Sequence, residues 1–167
     1  MEVNAGELSV RPIGFIRTPF ERASGTPIQS SLAHDAEGAI ELLPEFAPGL
    51  VDIDGFDRLW LIYAFDRAST PQLVVRPYLD DGEHGVFATR SPSRPNHLGL
   101  SSVRLLAVEG NCLRVAGVDM LDGTPLLDIK PCVPAFDYLP AARIGWFEGR
   151  LPEHAVADSR FERGSAT

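Results

Sequence analysis

The apolar positions along this chain come in short runs separated by turn residues, without a sustained helical spacing. Fourteen prolines and fifteen glycines interrupt the sequence, many of them in Arg-Pro, Pro-Gly and Asp-Gly pairs that are typical of turns. The apolar runs predict strands at residues 10–17, 39–43, 59–65, 85–89, 103–109, 113–118 and 126–129. The Gly110-Asn111 pair predicts a hairpin between two of these strands.

Strands at such short intervals predict a mainly β fold: a compact barrel of short, largely antiparallel strands with few short helices. No regular helical segments separate the strands, which argues against a βαβ sheet. The sequence also contains neither a GxGxxG fingerprint nor a GxxxxGK[ST] phosphate loop. Any nucleotide binding is therefore expected to be of an unconventional kind.

The length of the chain predicts one domain followed by a tail. The 167 residues, 44% of them hydrophobic, suffice for one substantial core and are too few for two full domains. After Trp146 the sequence becomes polar and charged. We therefore expect a barrel domain over residues 1–151 and a loosely held polar tail over residues 152–167.

Charge, cysteine content and hydropathy restrict the class of protein further. Fifteen basic and twenty-three acidic side chains give a net charge of −8, which disfavours a nonspecific polyanion binder held by overall charge. Two cysteines without CxxC spacing indicate free thiols in a reducing cytoplasm. No apolar run is long enough to cross a bilayer, and no metal site is expected because the histidines stand apart in sequence from the cysteines and from one another. These are His34, His84, His97 and His154.

One segment of this acidic chain is locally basic. Residues 86–107 contain no acidic side chain, yet they include Arg90, Arg94, Arg104 and His97. A proline-stiffened loop with guanidinium, hydroxyl and amide groups suits recognition of carboxylates, phosphates or base edges. A surface loop whose arginines balance acidic residues elsewhere is the alternative, and composition leaves both open.

A second polar cluster occupies residues 119–131, where an Asp-Gly turn leads into a predicted strand. That strand ends with Asp128 and Lys130, the only lysine of the chain. Two residues apart on a strand, their side chains face the same side. They could form a surface ion pair or converge on one ligand.

Both segments resemble the signature blocks of the TsaA-like (YaeB-like, TrmO) family. The blocks read GVFATRSPSRPNHLGLSSVRL and GVDMLDGTPLLDIKP, and PIGFIRTPFE, GTPIQ, PEFAPGLVDIDGFDRLWLIYAFDRA and residues 142–146 are further matches. Together they cover residues 12–146 in family order. The resemblance implies a compact β-barrel that acts as a homodimer and binds S-adenosylmethionine near the subunit interface.

The best-known activity of that family is methylation of the exocyclic amine of threonylcarbamoyladenosine beside the tRNA anticodon. The resemblance therefore implies a tRNA methyltransferase, with its cofactor held by residues that match the family's site. These residues are Pro27, Ile28, Gln29, Phe65, Asp66, Arg90, Leu100, Leu121, Asp122, Gly123 and Thr124.

Methyl transfer from a sulfonium needs mainly alignment, desolvation and removal of one proton, because the donor is already activated. Our hypothesis is that Asn96, Asp128 and Lys130 are catalytic and position the acceptor together with Arg90, with Asp128 as the proton acceptor or orienter. Arg94 and His97, in the proline-stiffened basic loop, are predicted to bind the substrate.

Three departures from the family pattern leave the acceptor open. Ile28 stands where the family commonly has arginine, Asp66 where it has histidine, and residues 94–99 read RPNHLG in place of RPNPIG. The first two remove positive character beside the cofactor. The alternatives are a methyltransferase with a small-molecule acceptor and the same cofactor pocket, or a binding module for S-adenosylmethionine or RNA without catalysis.

Overall fold

A computed structural model describes residues 2–4, 6–33 and 35–163 of the chain. The strands are β1 (Glu2–Asn4), β2 (Glu7–Ser9), β3 (Gly14–Arg17), β4 (Glu37–Leu42), β5 (Arg58–Ala64), β6 (Val74–Val75), β7 (His84–Gly85), β8 (Leu98–Glu109), β9 (Cys112–Ala116) and β10 (Thr124–Pro131). A four-residue helix, α1 (Pro134–Asp137), and five 3-10 turns accompany them in the described residues. The turns are Ser30–Leu32, Pro44–Leu50, Ile53–Gly55, Val86–Ala88 and Gly145–Phe147. None of the described helices is long and apolar enough to cross a membrane.

Six strands close into a barrel in the order β10-β3-β4-β9-β8-β5, and every neighbouring pair is antiparallel. The predicted mainly β, antiparallel barrel with few short helices is therefore confirmed. The hairpin between β8 and β9 turns at Gly110, whose φ of 64° lies in the left-handed region that glycine favours.

Side-chain alternation along the strands builds the barrel core. On β5, Leu59, Leu61 and Tyr63 point inward and are buried, while the residues between them are more exposed. This period of two places every second side chain of each strand in the core. The fully buried members of the core are Ile16, Ile40, Leu59, Leu61, Val103, Leu113, Val115, Val118 and Leu126.

An irregularity in β10 decides which way its polar end faces. Leu126 is opposite Tyr63 and Asp128 is opposite Ile62, so Leu127 is an extra residue on β10. Beyond this bulge Ile129 packs against the core. Asp128 and Lys130 consequently share the outer face of the barrel.

The predicted strand at residues 85–89 is wrong. Only His84–Gly85 pairs as β7, and Val86–Ala88 form a 3-10 turn that the Thr89 hydroxyl closes by donating to Val86 O at 2.9 Å. Val86 is buried in a small second cluster with Val75 and Phe161. The strand predicted at residues 10–17 also begins only at Gly14, after Pro12, which has no N–H to donate to a ladder.

The expectation of a loosely held tail is also wrong for the described residues up to 163. Ala157 exchanges backbone hydrogen bonds with Gly25 and Thr26, at 2.9 and 2.7 Å. Phe161 is buried against Tyr78, with ring centroids 5.2 Å apart in an edge-to-face arrangement. One aromatic anchor therefore fixes a segment whose average composition is polar.

Candidate functional site

A cavity of about 1750 Å³ lies where β5 and β9 end and β8 and β10 begin. Antiparallel neighbours place these strand ends together at one end of the barrel. Residues within 26–32, 77–79, 87–96, 144–147 and 151–157 contribute further walls. The tail supports the first of these walls, because Pro27 pairs with Val156 and the Ile28 N–H donates to Ala155 O at 3.2 Å.

The structure brings most of the predicted cofactor residues to this cavity. Its walls include Pro27, Ile28, Gln29, Phe65, Asp66, Arg90, Leu100, Leu121 and Thr124, together with the predicted acceptor residues Arg94 and Asn96. Asp122, Gly123, His97, Asp128 and Lys130 are not among the lining residues. The roles assigned to all of these residues from the sequence stay predictions.

The apolar part of the wall is suited to a flat ring. Phe65 stands edge-to-face on Tyr63, with centroids 5.2 Å apart and an interplanar angle of 79°. Leu100 is 54% exposed at the start of β8, and Leu121 lies on the opposite connection between β9 and β10. Exposed apolar and aromatic side chains in a concave site favour binding of an aromatic ligand group.

Arg90 links two segments that are far apart in the sequence. Its Nη1 donates to Gln29 Oε1 at 2.6 Å, and the Gln29 amide donates in turn to Ile28 O, also at 2.6 Å. The guanidinium of Arg90 is exposed in the cavity wall. It can therefore meet a ligand carboxylate.

Arg94 and His97 contact the protein's own backbone. The Arg94 Nη1 donates to Thr89 O and Ser91 O, both at 3.3 Å. His97 lies at a φ of 48° with its Nε2 3.1 Å from Ser69 O, and its carbonyl accepts the Phe65 N–H at 2.7 Å. In this arrangement both side chains hold the loop before β8 in place.

Asp122 and Gly123 build the turn that carries Leu121 and Thr124. The Asp122 carboxylate accepts the Thr18 N–H at 3.0 Å, and Gly123 adopts a φ of 74°. The Thr124 hydroxyl donates to Leu121 O at 2.7 Å and closes the turn. These contacts fix the conformation of the turn, so Asp122 and Gly123 support the cavity wall without lining it.

Arg67, which the sequence reasoning missed, connects this turn to the end of β5. Its Nη2 donates to Asp122 O at 2.7 Å and approaches Thr124 Oγ1 at 3.4 Å. Its Nε is buried without a hydrogen-bond partner among the described residues, and Asp66 Oδ1 lies 3.5 Å away. A buried donor that makes an ion pair but no hydrogen bond is suited to an acceptor atom of a ligand.

The second residue that the sequence reasoning missed is Asp119, whose carboxylate lines the cavity and is shielded from solvent. The Ser101 hydroxyl donates to Asp119 Oδ1 at 2.6 Å, so the Tyr63 hydroxyl, 3.0 Å from Ser101 Oγ, is left to donate to Ser101. Burial raises the pKa of Asp119 to about 6, against the opposing effect of the hydrogen bond from Ser101. A sequence signal existed, because Asp119 stands between two apolar residues, Val118 and Met120.

Asp128 and Lys130 form an ion pair, one of the two alternatives left open by the sequence, with Lys130 Nζ 3.1 Å from Asp128 Oδ2. Their side chains are 47% and 63% exposed on the outer face of the barrel. An ion pair this exposed contributes little to stability. Within the described residues, no group of three or more histidine, cysteine or acidic side chains is arranged to hold a metal ion.

Comparisons with known proteins show what the chain is similar to. Residues 15–138 match the family described as the tRNA-methyltransferase O N-terminal domain. A protein of Pyrococcus abyssi named as a probable S-adenosyl-L-methionine-binding protein is 53% identical over 90% of this chain and 83% of its own length. The mouse tRNA (adenine(37)-N6)-methyltransferase is 35% identical over 81% of this chain and 33% of its own length.

A solved structure gives the same picture of the fold. The crystal structure of TrmO from Pseudomonas aeruginosa is similar with a TM-score of 0.71 and 42% identity. The match covers 84% of this chain and 62% of that one. The chain thus spans most of the archaeal relative, less of the bacterial one and a third of the mouse one.

The raised pKa of Asp119 predicts a specific pH dependence of stability. An acid whose pKa is higher in the folded state binds its proton more tightly there, so folding becomes less favourable as pH rises from about 4 to 6. Relative to Asp119→Asn, the wild type should gain up to about 2 kcal/mol in free energy of unfolding between pH 7.5 and pH 4.5.

Urea unfolding of both proteins at each pH measures this difference, and the comparison cancels the titration of groups that the two proteins share. A difference that stays constant with pH, or that changes in the opposite direction, would contradict the desolvated state of Asp119.

Proposed function

The chain belongs to the tRNA-methyltransferase O N-terminal domain family, and from that premise we propose that it is an S-adenosylmethionine-dependent methyltransferase whose cofactor binds in the cavity. The observation that carries the proposal is the convergence of an apolar wall, an exposed guanidinium and a desolvated carboxylate in one concave site. The naming of the archaeal relative as a binding protein for this cofactor supports it.

The residues present fit the chemical groups of this cofactor. Its adenine suits the apolar surfaces of Phe65, Leu100 and Leu121, and its carboxylate suits the exposed guanidinium of Arg90. The buried Arg67 Nε needs an acceptor, and the cofactor's hydroxyls and ring nitrogens are acceptors. The cofactor would thus give a hydrogen-bond acceptor to a nitrogen whose contact within the protein is the 3.5 Å ion pair with Asp66.

The bound cofactor supplies a methyl group already activated by a positively charged sulfur. The chain's own residues then exclude water, orient the acceptor amine and accept its proton. We assign proton acceptance to the Asp119 carboxylate in preference to Asp128, because Asp119 lies in the cavity and is mostly ionised at neutral pH with a pKa of about 6. Ser101 holds this carboxylate in position, and Tyr63 in turn orients the Ser101 hydroxyl.

For the acceptor we propose the exocyclic amine of threonylcarbamoyladenosine next to the tRNA anticodon. The name of the mouse relative supports a tRNA adenine as acceptor. The cavity volume of about 1750 Å³ exceeds the roughly 300–1,000 Å³ of ordinary small-molecule sites and so has room for a second ligand.

A small-molecule acceptor is the second candidate, because Asp66 and Ile28 both line the cavity where positive charge would favour an anionic acceptor. Methyl transfer in the absence of RNA distinguishes the two. Binding of the cofactor without turnover on any tRNA would instead indicate a non-catalytic module.

We further propose a homodimer, supported by exposed apolar side chains that follow β10. Phe136, Tyr138 and Leu139 are 80%, 72% and 74% exposed. Large apolar side chains that are exposed close together in the sequence are typical of interaction sites. Sedimentation at twice the monomer mass is the expected result, and a monomer at every concentration would contradict it.

Cofactor binding is tested by calorimetric titration with S-adenosylmethionine and S-adenosylhomocysteine. Arg90→Ala should weaken binding about 10- to 100-fold, because it removes a charge-assisted hydrogen bond to the ligand carboxylate. Arg114→Ala is the matched control, since Arg114 pairs with Glu37 away from the cavity. No binding by the folded wild type, or equal losses in both variants, would contradict the proposed site.

The role of Asp119 is tested by single turnover with saturating cofactor and tRNA that carries threonylcarbamoyladenosine. Asp119→Asn should lower the rate about 10²- to 10⁴-fold, the usual loss on removing a general base. Asp128→Asn, an isosteric change of an exposed carboxylate, should leave the rate within about threefold. The reverse pattern would return the role to Asp128.

A further inference from the structure

Two arginines face each other across neighbouring strands of the barrel. Arg58 on β5 is the direct partner of Arg104 on β8, and both side chains are exposed on the outer face. Directly opposite side chains on antiparallel strands have Cβ atoms about 4.5–5.5 Å apart, and like charges in that position are destabilising. A chain with twenty-three acidic residues has nevertheless placed no acid opposite either arginine in this pair.

The charges of this arginine pair are poorly neutralised. Arg58 donates from Nε to Ser102 Oγ at 3.1 Å and from Nη2 to Ser102 O at 2.7 Å, and no carboxylate of the described residues lies within 4.0 Å of it. Arg104 Nη2 reaches Asp35 only at 3.8 Å, and the Asp35 side chain is 95% exposed. Such a pair is worth little in water. Ser102 thus holds one guanidinium in a fixed position beside a second, and both keep their positive charge.

The position of the arginine pair connects it to the cavity. Both side chains are among the cavity-lining residues. Arg104 follows Leu100 by four residues along β8, which is about 13 Å in an antiparallel strand. The cofactor proposed for the cavity carries no phosphate, and its single carboxylate is assigned to Arg90. The arginine pair is therefore left for an anion of the acceptor.

An aromatic side chain adjoins the arginine pair. Trp60 lies opposite Ser102 on one side and opposite Lys130 on the other, and its side chain is partly exposed. The outer face of β5 and β8 therefore presents two guanidinium groups beside an indole, while Lys130 on β10 is paired with Asp128. Guanidinium forks bind phosphate oxygens, and an exposed indole stacks on a nucleobase, which is the combination used to hold single-stranded nucleic acid.

We propose that Arg58 and Arg104 form a phosphate subsite that binds the phosphodiester backbone of an RNA acceptor while its target base enters the cavity, with Trp60 stacking on a neighbouring base. This inference rests on the proposed function and specifies how the RNA is held. It also accounts for RNA binding by a chain of net charge −8, because the positive potential is concentrated where the backbone passes.

The test is the salt dependence of binding to a labelled anticodon stem-loop RNA, measured by fluorescence anisotropy between 50 and 200 mM KCl. Arg58→Gln/Arg104→Gln should weaken binding about 10- to 100-fold at the lowest salt and reduce the slope of log K against log[KCl] by about 1.4 to 2, as expected for two lost phosphate contacts. Arg76→Gln/Arg114→Gln removes the same charge from arginines that pair with Glu83 and Glu37 outside the cavity. This control should leave the slope unchanged.

Titration of the Arg58→Gln/Arg104→Gln variant with S-adenosylmethionine separates this inference from the proposed function. Retained cofactor affinity with weakened RNA binding supports the subsite. An unchanged RNA salt slope in the variant overturns the subsite. If the variant then loses binding of inorganic phosphate, the pair is a site for a free anion. If its sedimentation mass changes, the pair belongs to a surface for a second copy of the chain. Failure of the wild type to bind RNA while it binds the cofactor also overturns the subsite but leaves the methyltransferase proposal standing.

Discussion

The site depends on the carboxylate of Asp119, which the barrel shields from water and which two hydrogen-bonded hydroxyl groups hold in place. Asp119 lies just after β9, and Ser101 and Tyr63 lie on the neighbouring strands β8 and β5. The inward alternation of those two strands brings both hydroxyls to the same end of the barrel. Burial raises the pKa of Asp119 to about 6, and the Ser101 hydrogen bond limits the rise. The result is a base that is ionised at neutral pH yet close enough to neutrality to exchange a proton.

Around this carboxylate the arginines divide into those that build the site and those that present charge. The guanidinium groups of Arg67 and Arg94 donate hydrogen bonds mainly to backbone carbonyls of the cavity walls. Arg90 and the arginine pair keep exposed charge in the cavity lining. The net charge of −8 therefore says little about the potential at the site, because a small number of placed cations decides it.

The sequence predicted the architecture well because the signals for strands and tight turns are local. Alternating apolar residues and the Gly110 turn suffice to indicate an antiparallel barrel. Residues 85–89 were misread because the burial of Val86 depends on Phe161, which arrives from the far end of the chain. The packing of Phe161 in the cluster with Val86 also holds the tail in place, although the polar composition of the tail had predicted that it is loosely held.

The candidate site was only partly predictable for the same reason. The family blocks led to the cavity wall, and the spacing of Asp128 and Lys130 correctly placed them on one face of a strand. That this face is the outer one depends on the bulge at Leu127, which no local pattern indicates. Asp119 was given no role because the Ser101 and Tyr63 hydroxyls that hold it come from strands distant in sequence.

The most direct test of this account is the titration of the Asp119 carboxyl by ¹³C NMR in the free protein and with saturating S-adenosylmethionine or S-adenosylhomocysteine. The account predicts a midpoint near pH 6 in the free protein. The sulfonium should lower the midpoint by about one unit or more, and the uncharged thioether by less, because a nearby cation favours the ionised acid. A midpoint near 4 in the free protein, or one that the sulfonium leaves unchanged, would contradict a desolvated Asp119 beside the methyl donor.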